Sequence, residues 1–260
     1  MSSVVLCYIT DRSQLKSVPL AAVIRETLRA GVDMVQIREK DLPTRELTAL
    51  VEKAVSAARE VPALARASHL SNLRDEPPRQ PAILSEERDL YISPLAQACV
   101  LVNDRLDVAL AVGAGGVHLG GHSMPAVEVR HVAPHPFVVG VSCHSLAEAV
   151  AAESAGADYL LLGPVFETPS KLKYGAPLGL DELRKVTGKI RIPVLALGGI
   201  TVERARHCFE AGAAGIAGIR IFQDGECIEA LVRELRAQLG VEQSKVEKPQ
   251  RSISNAKFEI

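Results

Sequence analysis

Charged residues that could bind a phosphorylated substrate follow short apolar runs of this sequence. Arg38 and Lys40 are two residues apart, so in an extended chain their side chains point the same way. Two cations at one edge of a site suit phosphate or diphosphate, because guanidinium and ammonium groups form charge-assisted hydrogen bonds to phosphate oxygens. The same two residues could instead form ion pairs with Asp11, Glu39 or Asp104. The sequence leaves both uses open.

A glycine pair in the last third of the chain also suggests anion binding. Gly198 and Gly199 follow an apolar run and lead into a helical pattern that begins after Thr201. Backbone N–H groups at such a turn, together with the positive end of a helix, attract phosphate. Arg220 follows the next apolar run and adds a cation. A tight turn between two elements is the alternative interpretation of the glycine pair.

Other positions offer groups for a metal ion or for proton transfer. Asn103 and Asp104 carry hard oxygen ligands, and Mg²⁺ often combines few protein ligands with substrate phosphate oxygens. Asp104 could equally cap a helix that starts at Arg105. His118 and His144 lie at the ends of apolar runs and could move protons near neutral pH. A single histidine in such a place is more often a hydrogen-bonded structural residue.

The elements that must position these residues are apolar runs that alternate with helical patterns. A recurring phrase, in which Ala-Gly or Val-Gly ends a helical stretch before an apolar run, marks helix-to-strand junctions because glycine readily ends helices. It occurs at Ala30-Gly31, Val112-Gly113, Ala155-Gly156 and Ala211-Gly212. Continuous apolar runs indicate strands that are buried on both faces. The predicted strands are Val4–Thr10, Met34–Arg38, Cys99–Asn103, Gly116–Leu119, Phe137–Ser142, Tyr159–Val165, Pro193–Leu197 and Gly215–Ile219.

Eight strands that alternate with helices predict an α/β fold, the (β/α)8 TIM barrel. A doubly wound open sheet is the structural alternative, but no G-x-G-x-x-G motif follows the first strand. The carboxyl ends of barrel strands face one mouth, and the loops after strands seven and eight often hold phosphate, which favours phosphate binding at the glycine pair. We expect a single barrel over residues 1–240, with a proline-rich inserted excursion at about 60–98 and a disordered tail over 241–260.

The composition argues against several partners. The formal net charge is -1, so there is no basic excess to bind a nucleic-acid backbone or an anionic membrane. The sequence has neither a secretory signal pattern nor an apolar run long enough to cross a bilayer, which predicts a cytoplasmic protein. Five scattered cysteines without a C-x-x-C pair indicate reduced thiols. A homo-oligomer is compatible with the sequence.

Phrases at the ends of the predicted strands resemble those of the thiamin phosphate synthase and thiazole tautomerase superfamily. The matching phrases are Gln36–Lys40, Val102–Arg105, Gly116–Gly120, Gly140–Ser145, Asp158–Phe166, Thr168–Lys171 and Pro193–Ile200. The resemblance spans roughly Val4 to Leu239 without the excursion. Several ordered motifs make it more specific than any one alone. It implies a thiamin phosphate synthase-like barrel that serves thiamin biosynthesis.

The synthases of this family join hydroxymethylpyrimidine diphosphate to thiazole phosphate, releasing pyrophosphate with assistance from Mg²⁺. By resemblance, the residues with catalytic roles are Arg38, Lys40, Ser142, His144 and Lys171. Those that bind substrate are Gln36, Asn103, Thr168, Ser170, Gly198, Gly199 and Arg220. The expected magnesium ligand is Asp104. The implied partners are small phosphorylated pyrimidine and thiazole substrates.

Three positions depart from the synthase pattern. Ser123 stands where a second magnesium-binding aspartate is expected. Arg220 replaces a serine that helps to hold the thiazole phosphate, and arginine binds phosphate with a different geometry. Glu167 lies between Phe166 and Thr168 where the synthases usually have proline, and this phrase resembles the tautomerase branch.

The tautomerase is therefore the main alternative to the synthase. It relocates a proton to aromatise a carboxythiazole phosphate, needs no metal, and would use His144 as its acid or base. The retained Arg38, Lys40 and Asp104 favour the synthase, a transferase, over this isomerase. Another phosphate-binding enzyme on the same barrel and a non-catalytic binder of a thiamin precursor are the minor alternatives.

Overall fold

The computed structural model describes residues 4–15, 18–61, 98–168, 176–225 and 227–240. Eight parallel strands form a closed barrel in sequence order, and the last strand pairs with the first. The strands are β1 (Val5–Ile9), β2 (Met34–Ile37), β3 (Cys99–Asn103), β4 (Gly116–Leu119), β5 (Val138–Cys143), β6 (Tyr159–Leu162), β7 (Val194–Leu197) and β8 (Gly215–Gly218). The predicted (β/α)8 barrel is confirmed, and each predicted strand overlaps an observed one.

Helices follow the strands and surround the barrel. The described helices are α1 (Leu20–Arg29), α2 (Thr44–Glu60), α3 (Leu106–Val112), α4 (Ala126–Val132), α5 (Leu146–Ser154), α6 (Gly179–Thr187), α7 (Val202–Glu210), α8 (Arg220–Gln223) and α9 (Ile228–Gly240). None of these helices is long and apolar enough to cross a membrane. The predicted tail over 241–260 lies outside the described residues, as does the predicted excursion apart from its ends.

The recurring Ala-Gly and Val-Gly phrase ends helices as predicted. All four of its glycines have positive φ, from 65° to 95°, in the region that L side chains rarely adopt. The helices that follow β5 and β7 begin with side-chain caps. Ser145 Oγ accepts a hydrogen bond from the backbone N–H of Glu148, and Thr201 Oγ1 accepts one from that of Arg204. Local sequence signals therefore set both ends of several elements.

Strand side chains alternate between two apolar layers. One set packs outward against the helices, where buried residues such as Leu6, Val35 and Leu160 join helix residues such as Leu28 and Val51. The other set fills the barrel interior with Val5, Cys7, Ile9, Met34, Cys99, Leu101, Val138, Tyr159, Leu161, Leu195 and Ala217. Because the interior is packed, a substrate can bind only at the ends of the strands.

Candidate active site

A cavity of about 970 Å³ opens at the carboxyl ends of the strands. Residues that end or follow all eight strands line it. The predicted site residues in its wall are Arg38, Lys40, Asn103, Asp104, Ser142, His144, Thr168, Gly198, Gly199 and Arg220. Gln36 is buried beneath this wall, and Ser170 and Lys171 lie outside the described residues. The barrel therefore brings together residues that are up to 182 positions apart in the chain.

The side of the cavity at β2 carries two cations that form no ion pair with a described acid. Within the described residues, the side chains of Arg38 and Lys40 form no hydrogen bond or ion pair. Glu39 turns away from the cavity instead: it is 5% exposed, accepts a hydrogen bond from Thr10 Oγ1 at 2.7 Å and pairs with Arg12 at 3.1 Å. Neither cation therefore forms an ion pair with a described acid. Arg38 does act on Asp11 at longer range: desolvation opposes ionisation of this carboxyl, but hydrogen bonds and, to a smaller extent, the charge of Arg38 lower its pKa.

The carboxylate of Asp104 connects two loops at the mouth. Its Oδ1 accepts hydrogen bonds from the Gly120 backbone N–H at 3.3 Å and from the Ser123 hydroxyl. Its Oδ2 accepts one from Asn103 Nδ2 at 2.6 Å. Helix α3 begins at Leu106 without a side-chain cap, so the alternative in which Asp104 caps this helix is wrong. Asp104 has a φ of 61°, an uncommon conformation for a residue other than glycine.

The residues around Asp104 fit a magnesium ion that takes most of its ligands from water and from substrate phosphates rather than from the protein. Within the described part of the chain, no three His, Cys, Asp or Glu side chains cluster in a way that could hold a metal. Asp104 supplies one exposed carboxylate at the cavity, and Ser123 adds only a neutral hydroxyl. Mg²⁺ usually keeps several waters and binds through one or two carboxylates and substrate phosphates. One carboxylate is thus compatible with a metal that arrives with a diphosphate.

Gln36 supports the wall of the cavity from below. It is 1% exposed, and its Nε2 donates a hydrogen bond to Asn103 Oδ1 at 2.8 Å. This bond leaves the Nδ2 group of Asn103 to face Asp104. The Oε1 atom of Gln36 is buried and has no hydrogen-bond partner among the described residues. The structure therefore places Gln36 in contact with Asn103 rather than in the cavity wall.

A buried histidine lies behind Ser142. His118 on β4 is 1% exposed, and its Nε2 lies 2.8 Å from Ser142 Oγ. Its Nδ1 lies 2.9 Å from the hydroxyl of Tyr159 on β6. Burial lowers the pKa of His118 to about 3, so the ring is neutral at physiological pH. The pattern of apolar runs did not reveal this contact, because Tyr159 is one apolar residue among many in its strand.

His144 lies at the cavity in a more open environment. Its side chain is 51% exposed, and Nδ1 lies 3.3 Å from the carboxylate of Glu148. The same carboxylate accepts a hydrogen bond from the His144 backbone N–H at 2.7 Å. Glu148, one turn into α5, therefore orients the imidazole while the ring stays accessible. A general acid or base can be built on such a pair.

The opposite side of the cavity is a tight backbone turn. Gly198 and Gly199 have φ values of 98° and 63°. A Cβ atom on Gly199 would lie 2.5 Å from the backbone oxygen of Glu167, so no other residue fits without a shift. Helix α7 follows this turn, with Thr201 as its N-cap residue. The turn therefore presents backbone to the cavity at the positive end of a helix.

Two arginines flank this turn, and both have partners. Sequence reasoning missed Arg204, whose Nη1 donates a hydrogen bond to the Gly199 carbonyl at 2.8 Å and whose guanidinium lies 4.9 Å from the centre of the Phe166 ring. Its position three residues after the cap Thr201 was the only sequence signal. β8 ends at Gly218, and Arg220 begins α8 and pairs with Asp224 at 3.0 Å. Both arginines line the cavity.

Comparison with known proteins agrees with this geometry. The family model described as thiamine monophosphate synthase matches residues 6–65 and 89–222. This chain belongs to the thiamine monophosphate synthase family. Within the family, a relative from Geobacter sulfurreducens is 42% identical, covering 82% of this chain and 83% of its own. The thiamine-phosphate synthase of Clostridium novyi is 35% identical, covering 88% of this chain and 96% of its own.

A solved structure extends the likeness to three dimensions. Thiamine phosphate pyrophosphorylase from Pyrococcus furiosus is 34% identical, has a TM-score of 0.71, and is matched over 92% of this chain and 97% of its own. The resemblance inferred from the strand-end phrases is confirmed. The residues matched to the thiamine monophosphate synthase family include Arg38, Asp104, Ser142 and Gly199, so both sides of the cavity lie inside the shared part of the chain.

Proposed function

We propose that this protein is a thiamine-phosphate synthase, a transferase that joins hydroxymethylpyrimidine diphosphate to thiazole phosphate and releases pyrophosphate. Membership of the thiamine monophosphate synthase family supports this assignment, as do the named relatives. The observation that carries it is the pair of cations, Arg38 and Lys40, which lie in the cavity wall and form no ion pair with a described residue. A departing pyrophosphate needs such charges, because they stabilise the negative charge that grows as its bond breaks.

The diphosphate would lie at the ends of β2, β3 and β5. Arg38 and Lys40 would neutralise its charge, and Asn103 and Ser142 would donate hydrogen bonds to its oxygens. By resemblance, Lys171 would add a further cation at the pyrophosphate. All of these groups act on the leaving group, so electrostatic stabilisation rather than covalent catalysis would lower the barrier.

Magnesium would assist at Asp104. The ion supplies positive charge to the diphosphate when it is bound. Asp104 would hold it, and the hydroxyl of Ser123 fixes the orientation of that carboxylate in this structure. With one carboxylate in place of two, affinity for the free ion should be weak and should rise with diphosphate present.

The thiazole phosphate would lie on the other side, at the ends of β6, β7 and β8. Backbone groups of Gly198 and Gly199 would contact it together with Thr168, and Ser170 is assigned to it by resemblance. Arg220 would lie close enough to add charge, although Asp224 already binds its guanidinium. The two substrates would thus be held at opposite walls with their reacting atoms between them.

The assignment can be tested by product formation. Purified protein is incubated with both substrates and Mg²⁺, and thiamin phosphate is measured by fluorescence after oxidation. We expect product with the wild type, at least about tenfold less with Lys40→Gln because one charge on the leaving group is lost, and wild-type activity with Lys53→Gln. Lys53 is the matched control, since it is exposed on α2 outside the cavity. Absence of product from a folded wild type that binds thiazole phosphate would overturn the assignment.

Thiazole tautomerase is the second candidate, and one observation favours it. The accessible His144, oriented by Glu148 at the cavity, could relocate a proton without any metal. A tautomerase would convert carboxythiazole phosphate to its aromatic form in the presence of a chelator. It would lose that activity in His144→Gln and keep it in Lys40→Gln. The synthase is expected to lose its activity in Lys40→Gln and in the presence of a chelator. His144→Gln does not separate the two enzymes, because the resemblance gives His144 a catalytic role in the synthases as well.

A further inference from the structure

Three neighbouring strands build a chain of hydrogen bonds from the barrel interior to the cavity. His118, Gly140 and Tyr159 lie side by side in the register of β4, β5 and β6. A Cβ atom at Gly140 would lie 2.3 Å from the Tyr159 hydroxyl and 2.1 Å from its Cζ. Glycine therefore leaves the space through which Tyr159 crosses β5 and reaches His118. Ser142, two residues further along β5, continues the chain to the cavity wall.

The direction of this chain follows from its buried end. Tyr159 is fully buried among aliphatic and thiol side chains of the barrel interior. A buried O–H group that has no acceptor destabilises the folded protein, because it has given up its hydrogen bonds to water. Cysteine sulfur is only a weak acceptor. The imidazole nitrogen Nδ1 of His118, 2.9 Å away, is the strong acceptor within reach. Burial raises the pKa of Tyr159 well above its ordinary value, so the hydroxyl keeps its proton to donate.

The direction of the Tyr159 hydrogen bond fixes the direction of the bond between His118 and Ser142 at the cavity wall. If Nδ1 accepts from Tyr159, a neutral imidazole must carry its proton on Nε2, and Nε2 then donates to Ser142 Oγ. Ser142 can accept this bond because a hydroxyl has free lone pairs. Its own proton is then left for a partner other than His118. Ser142 lines the cavity, so that proton can point towards a bound anion.

We propose that Tyr159 holds His118 in the Nε2–H tautomer and thereby makes Ser142 a hydrogen-bond donor to an anion in the cavity. Tyr159 and His118 are positioning residues, because neither lines the cavity. In the opposite direction the Ser142 proton would point at Nε2, and Ser142 would present only lone pairs to an anion. The identity of the anion as a diphosphate rests on the proposed function, whereas the tautomer does not.

The tautomer is tested by nitrogen NMR. Two-bond nitrogen–proton correlation spectra of 15N-labelled protein distinguish a protonated imidazole nitrogen from a bare one. The His118 signals are identified by their loss in His118→Gln. We expect a protonated Nε2 and a bare Nδ1 in the wild type and in Tyr8→Phe, and a mixture of tautomers in Tyr159→Phe. Tyr8 is a matched control, since it is also buried but is hydrogen-bonded to Gln223. A wild-type ring protonated on Nδ1 would overturn the proposal.

The consequence for Ser142 is tested with inorganic pyrophosphate as the probe. Loss of one hydrogen bond to a charged oxygen should weaken pyrophosphate binding about tenfold in Tyr159→Phe, and at least as much in Ser142→Ala. The double variant should bind no more weakly than Ser142→Ala, because both changes remove the same donor. Additive losses would contradict the proposal. Circular dichroism of each variant confirms that it is folded.

The two proposals fail in different ways. If thiamin phosphate is not formed but the Nε2–H tautomer and the non-additive losses are seen, the proposed function is wrong and the proposed direction of the hydrogen-bond chain stands. If product forms while His118 carries its proton on Nδ1, the proposed direction of the hydrogen-bond chain is wrong and the function stands.

Discussion

The two sides of the cavity hold their positive charges differently. At β2, the side chains of Arg38 and Lys40 form no hydrogen bond or ion pair to any described residue. At β7 and β8, Arg204 is held by the Gly199 carbonyl and Arg220 by Asp224. The first side therefore offers unpaired charge to an anion, whereas the second offers mainly a shaped backbone turn. We infer that the first side carries the chemistry of a leaving diphosphate and the second only anchors a phosphate.

The largest expected effect comes from the unpaired side. Arg38→Gln should lower kcat/KM for the pyrimidine diphosphate by about 100-fold or more, because a charge aimed at the leaving group is lost. Steady-state kinetics with thiazole phosphate saturating measures it. Arg25→Gln is the control, since Arg25 is exposed on α1 outside the cavity wall. A decrease in kcat/KM of less than tenfold would show that the unpaired charge of the first side contributes no more than the paired charge of the second.

The next effect concerns His118, which lies behind Ser142 on the first side. Its pKa is lowered from 6.5 to about 3, so between these pH values the unfolded chain binds a proton that the folded protein does not. Stability should therefore fall as pH decreases below about 6.5, by about 1 kcal/mol per pH unit, and this contribution should level off near the folded pKa.

Urea unfolding at pH 7.5 and 5.5 measures this dependence. His118→Gln lacks the titrating group, so its stability should fall by about 1 kcal/mol less than that of the wild type over this interval. Equal losses in the two proteins would show that His118 is protonated in the folded state at pH 5.5, and the neutral Nε2–H tautomer would then be wrong at that pH.

A moderate effect is expected at the backbone turn. Gly199→Ala places a Cβ atom 2.5 Å from the Glu167 backbone oxygen at a φ of 63°, so the turn must shift. We expect KM for thiazole phosphate to rise about tenfold, because misplaced backbone donors lose a charge-assisted hydrogen bond. Gly31→Ala is the control: it has positive φ without any close neighbour and lies away from the cavity. It should lower stability and leave KM unchanged.

The smallest effect is expected at Arg220. An exposed ion pair four residues apart on a helix contributes about 0.3–0.5 kcal/mol, and Arg220 already forms such a pair with Asp224. Arg220→Ser should change KM for thiazole phosphate less than about threefold, because the guanidinium is exposed, water screens its charge, and Asp224 already balances part of it. A tenfold increase in KM would show that Arg220 leaves Asp224 to bind the substrate. The second side of the cavity would then also use a positive charge to bind an anion.

The sequence predicted the fold more completely than it predicted the contacts within the site. The eight strands and the glycines that end helices follow from local patterns, and the structure agrees with them. The strand-end polar residues were expected to share one mouth, and ten of the named site residues line its cavity. The hydrogen-bond partners of these residues were harder to predict from the sequence. Asp104 was given the alternative of capping α3, but its carboxylate accepts hydrogen bonds from Gly120 and Ser123 in the loop after β4, and α3 begins without a side-chain cap.

The sequence by itself determined the barrel, the place of the mouth and the family, since apolar runs, Ala-Gly phrases and strand-end motifs are all properties of short segments. Only the tertiary structure decided which polar groups meet. Ser123 reaches Asp104 across 19 positions, and Tyr159 reaches His118 across 41 positions through the space at Gly140. Such contacts depend on the register of neighbouring strands, and a shift of one residue would turn each side chain to the other face of the sheet.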